Sequence, residues 1–107
     1  MTIRQQSRVA LRLPVSIGGT QAAITTDLSV SGFQLETTAL LREGTAVEGY
    51  VLHGEKELQW KGVVAWTRRG NPMASLWHSM GIRLTHVSTG LRALISMRAR
   101  ERAARKG

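Results

Sequence analysis

From Val9 to His86 the apolar residues recur at every second position, and after Ser88 they recur at every third and fourth. That change of period constrains the fold most, because side chains alternate across a strand but return to one helix face every 3.6 residues. Val9, Leu11, Leu13, Val15 and Ile17 alternate with polar or small residues until Gly18 and Gly19 end the run, and Pro14 suits only an edge or a bend. Gln21 to Asp27 reads as a second strand, Phe33, Leu35 and Thr37 mark a third, and Val47 to Leu52 follows the stop at Gly44. ELQWKGVVAWT is the longest candidate, with Leu58, Trp60, Val64 and Trp66 on one face. After the loop RRGNP, Leu76 to Leu84 resumes the alternation through His78, Met80 and Ile82, with a bend expected at Gly81.

The helical period begins at Ser88, a suitable N-cap, and puts Leu91, Leu94 and Ile95 on one face. Beyond Met97 the stripe gives way to arginines and alanines, so the helix packs its first half and projects its second into water. The expected fold is all-β, a six-stranded antiparallel barrel of residues 9–86 with a C-terminal α-helix over 88–105. At 107 residues the chain is one domain, 1–107, with residues 1–8 as a leading arm.

Several function classes are disfavoured. There are no cysteines, hence no disulfide, thiolate metal site or cysteine nucleophile. No apolar run approaches the roughly 20 residues that span a bilayer, and MTIRQQSR lacks the hydrophobic middle of a secretory signal, so a cytoplasmic address is expected. His53, His78 and His86 fall on separate segments without metal-ligand spacing, and Glu55 and Glu57 read as a solvated hairpin rather than an acid/base pair. Phosphate-loop, nucleophile-elbow and dinucleotide glycine motifs are absent. The chain reads as no enzyme, with neither metal nor cofactor.

The charge is lopsided, at +8, and twelve of the fifteen bases are arginine. Arginine's planar fork grips a phosphate with two hydrogen bonds or lies flat on a base, so a nucleotide or phosphorylated partner is favoured. Part of the excess sits in the tail, where Arg98, Arg100, Arg102, Arg105 and Lys106 outnumber Glu101 and read equally as a solvated helix end.

Two short motifs stand out. Arg4 and Arg8 bracket RQQSR just before the first strand, in a segment expected to be mobile on its own. DLSVSG then sets the chain's only aspartate, Asp27, with Ser29 and Gly32 between two strands. Arg-x-x-x-Arg followed some twenty residues later by Asp-x-Ser-x-x-Gly, on this strand pattern, resembles the PilZ domain family. GVVAW (62–66), MGIRL (80–84) and the helix after Ser88 resemble the family's later elements, so the likeness covers nearly the whole chain.

The resemblance implies a PilZ-type split barrel that receives the bacterial second messenger cyclic di-GMP, with Arg4, Arg8, Asp27, Ser29 and Gly32 at the ligand. The chemistry of the residues agrees. Guanine offers O6 and N7 to arginine forks, while ionised Asp27 accepts from the N1 and N2 donors that arginine cannot serve. Gly32 suits a turn needing positive φ or close backbone approach. Each feature also has a structural alternative: DLSVSG as an Asx-type turn, Arg4 and Arg8 as solvated charges at a chain end. Trp66 is either core or a side wall for a base, and Arg68 with Arg69 either a phosphate contact or a solvated loop. Ile3 stands where arginine in the family accompanies an intercalated ligand dimer, which favours one ligand per site.

The expected function is a receptor whose arm changes conformation on binding and signals to a downstream protein partner. One rival is a ligand-independent protein-interaction scaffold. The other is a general nucleic-acid binder, disfavoured because one phenylalanine, one tyrosine and three tryptophans offer little base stacking.

Overall fold

The protein's computed structural model describes residues 9–18, 21–71, 73 and 77–106. Six strands, β1 (Pro14–Ile17), β2 (Gln21–Leu28), β3 (Gly32–Thr37), β4 (Ala46–His53), β5 (Lys56–Arg68) and β6 (His78–Val87), precede one helix, α1 (Thr89–Lys106). The strands pair antiparallel and close into a barrel in the order β1-β2-β3-β6-β5-β4, with β4 returning to β1. Closure leaves neither side of the sheet as a free edge.

Alternation fills the interior with Val15 and Ile17 of β1, Phe33 and Leu35 of β3, Leu58, Trp60 and Val64 of β5, and Met80 and Ile82 of β6. Phe33 and Trp60 meet edge to face at its centre, with centroids 5.0 Å apart and planes at 87°, the arrangement that matches a ring's positive edge to its neighbour's negative face. The β4–β5 hairpin turns through two residues between paired His53 and Lys56, and Gly54 supplies the φ of 66° that such a turn requires. In α1, Leu91, Leu94 and Ile95 are buried against the core, each stabilising by about 1.5–3 kcal/mol. Ser88 caps the helix: the Leu91 amide donates to its Oγ at 3.3 Å and the Arg92 amide to its carbonyl at 3.0 Å. By Met97, 40% exposed, the helix has left the barrel.

The first and last strands each differ from what the sequence pattern predicts. The first ladder begins only at Pro14, and the chain before it is tied to β2 differently. Val9 and Leu28 exchange backbone hydrogen bonds, both 2.9 Å, in an isolated bridge. Between them and β1 the buried Thr25 hydroxyl donates to the Leu11 carbonyl at 2.6 Å and accepts from the Leu13 amide at 2.9 Å. A side chain thus replaces part of the ladder just ahead of a proline that has no N–H to give. Gly81 is no bend either. It lies inside β6, opposite Gln34 on one side and Trp66 on the other. Among the described residues, no helix is long and apolar enough to cross a membrane.

Candidate functional site

Two bulges decide what the outside of the barrel displays. In β2, Thr25 pairs with Leu35 but Asp27 pairs with Gln34, so Thr26 is an extra residue. In β5, Val64 pairs with Ile82 but Trp66 pairs with Gly81, so Ala65 is extra. Thr25 and Val64 are buried, and a strict period of two would bury Asp27 and Trp66 as well. One inserted residue reverses that parity and turns both outward. Trp66 therefore leaves the face it was expected to share with Leu58, Trp60 and Val64, and is half-buried on the outer surface.

Directly opposed antiparallel residues share a face. Asp27, Gln34, Gly81 and Trp66 consequently form one transverse row across β2, β3, β6 and β5. Three strand spacings separate its ends, about 14–15 Å measured round the barrel wall, so the row runs half-way round the closed six-stranded barrel. Beside the row lies a groove of about 280 Å³ whose walls include Ser31, Gly32, Gln34, Trp66, Gly81 and Arg83. The indole of Trp66 occupies the space a side chain on residue 81 would fill, and the Arg68 guanidinium stands 5.7 Å from the indole centroid, within cation–π range. In the neighbouring row Glu36 is paired with Arg12 at 3.1 Å, which offsets its charge.

A larger groove of about 680 Å³ lies over β4 and β5, but Glu48 and Glu57 stand on its walls beside Lys61 and His86. Two carboxylates make that groove less suited to an anion than the smaller one, which Arg83 lines and near which Arg68 stands over Trp66. Among the described residues, the smaller groove has no carboxylate in its lining.

DLSVSG builds the turn that holds this face. Ser29 is fully buried. Its amide donates to the Gly32 carbonyl at 2.9 Å, its hydroxyl donates to the same oxygen at 3.0 Å and accepts from the Gly32 amide at 3.3 Å, and Ser31 Oγ lies 3.2 Å away. The hydroxyl is engaged within the turn itself. Gly32 has no positive φ. Its requirement is close approach, since a Cβ there would overlap the carbonyl of Ile82 on β6. The two alternatives left open by the sequence are thereby separated.

Arg4 and Arg8 lie outside the described residues. The first described residue, Val9, is bonded to Leu28, next to Asp27. The structure thus puts Asp27 and Trp66 at the two ends of one outward-facing row, with Arg68 beside Trp66 and Gly32 in the adjoining groove, and turns Ser29 inward. Sequence reasoning missed Gln34, Gly81 and Arg83 as parts of this face. Only the strand register reveals them, although Gly81 in mid-strand was a hint of close approach.

Among known proteins, the PilZ domain profile matches residues 2–98. The solved structure of the Bacillus subtilis inhibitor of motility (MotI/DgrA) superposes with a TM-score of 0.76 at 15% identity, covering 99% of this chain and 54% of that one. The chain therefore spans about half the length of that neighbour. No curated protein matches it.

Proposed function

The chain belongs to the PilZ domain family, and on that premise we propose that it is a cyclic di-GMP receptor with its site on the outer face of β2, β3, β6 and β5. The observation that carries this reading is the row Asp27, Gln34, Gly81, Trp66, beside which the leading segment is clipped to β2. Asp27 accepts from N1 and N2 of one guanine. Trp66 supplies an apolar wall, and Arg68 a cation for a phosphate. Arg8 is included because it directly precedes Val9 in the sequence, and Val9 is bonded to Leu28 beside Asp27. Arg8 and Arg4 reach over the ligand as paired forks, stacking on a base or holding a phosphate. Ser29 acts by closing the turn that carries Asp27 and Gly32.

The module transforms nothing. Ligand binding holds residues 1–8 against the barrel face, and a downstream protein reads the altered surface. The ligand shifts that equilibrium only by its preference for the closed arm. The name of the Bacillus subtilis neighbour, an inhibitor of motility, is in keeping with a domain that signals outward. Ile3, preceding the arginine pair, favours one ligand per site.

Calorimetric titration of cyclic di-GMP into wild type, Arg8→Ala and Asp27→Ala tests the proposal. Saturable wild-type binding with a large loss in both variants is expected. Wild-type silence at modest salt would leave the protein-interaction scaffold in its place.

A further inference from the structure

The register across β3 and β6 produces a small checkerboard on the outer face. Gly32 opposes Arg83 and Gln34 opposes Gly81. The glycines occupy one diagonal, and the two long polar side chains the other, about 7–8 Å apart at Cα. At Gly81 the missing side chain is replaced by the Trp66 indole. At Gly32 the place of a side chain is taken by the Ile82 carbonyl of β6, so the two backbones meet there. The groove therefore has a backbone floor at Gly32, an indole on its far side, and Arg83 and Gln34 at its flanks.

Arg83 is exposed, and among the described residues its side chain takes part in no ion pair or hydrogen bond. The opposing glycine leaves its guanidinium free to swing over the floor. A guanidinium offers donors only, arranged as a fork. On guanine the matching pair of acceptors is O6 and N7. Adenine offers N7 beside an N6 amino group, which opposes a donor fork. Asp27, in the row that passes through Gln34, is suited to the opposite, donor edge of guanine.

We infer that Arg83 is a specificity-determining residue of this site, reading the O6 and N7 edge of a guanine that lies between Arg83, Gln34 and Trp66. The inference rests on the cyclic dinucleotide reading above and adds to it the residue that separates guanine from adenine. Gln34, with both a donor and an acceptor, borders the same base without discriminating by charge.

The test is titration of cyclic di-GMP and cyclic di-AMP into wild type, Arg83→Ala and Arg83→Lys, with melting temperature as a check on folding. A good bidentate contact discriminates by 1–3 kcal/mol, roughly 5- to 150-fold. Arg83→Ala is expected to lose about that factor for cyclic di-GMP, to lose little for cyclic di-AMP, and to melt like wild type. Arg83→Lys recovers only a small part, because an ammonium cannot reproduce the fork. Unchanged selectivity in Arg83→Ala, or an equal loss for both nucleotides, would overturn this inference and leave the receptor reading intact. Absence of wild-type binding to cyclic di-GMP would overturn both.

Discussion

The indole of Trp66 lies across Gly81, on the outside of the barrel, where a Cβ on residue 81 would overlap Nε1, Cε2 and Cδ1 of the ring. The contact exists because the bulge at Ala65 brings Trp66 opposite Gly81 instead of burying it. Gly81→Ala must therefore lift the indole. The obstacle is a side chain rather than backbone, so the expected loss of stability is on the order of 1 kcal/mol. Affinity for cyclic di-GMP is expected to fall by more than that. Chemical denaturation and calorimetry on the same variant compare the two effects, and a change confined to stability would remove Trp66 from the site.

The tryptophans separate core from surface. Trp60, 1% exposed and set edge to face with Phe33, is expected to lose about 3–5 kcal/mol as Trp60→Ala. That is a large share of the ~5–15 kcal/mol that holds a small domain together. Trp66→Ala removes a half-buried outer side chain, and its main effect is expected in ligand binding. Urea denaturation of the two variants should rank them widely apart; equal losses would contradict the bulge.

Thr25 ties the leading segment to the strand that carries Asp27. Its hydroxyl serves both Leu11 and Leu13, and Thr25→Val leaves those groups unsatisfied, at a cost of about 1–3 kcal/mol. Hydrogen exchange should show the Leu13 amide losing protection while amides in the β5–β6 ladder keep theirs relative to global stability. Thr25→Ser is expected to restore it. Failure of the serine variant to do so would mean that the methyl group, not the hydroxyl, matters.

Ser29 and Asp27 are expected to behave differently on substitution. Ser29→Ala removes a buried hydroxyl bonded to both the amide and the carbonyl of Gly32, so stability should fall by about 1–3 kcal/mol along with affinity. Asp27→Ala, on the outer face, should reduce affinity with a smaller change in stability. Thermal melts paired with titrations distinguish them, and an Asp27→Ala variant with intact affinity would count against the site.

The strands, the helix and most of the core were legible in the residues, because each buried side chain announces itself by local alternation and each turn by glycine or proline. Val15, Ile17, Phe33, Leu35, Leu58, Trp60, Met80, Leu91, Leu94 and Ile95 are all inside, as their spacing predicts. The DLSVSG motif, too, could be read without coordinates. Which way Asp27 and Trp66 face could not. A bulge is a mismatch between two strands, and neither strand's own residues record that one of them carries an extra member. The facing of Asp27 and Trp66, and the groove bounded by Gln34, Gly81 and Arg83, exist only once four separate segments have paired in register.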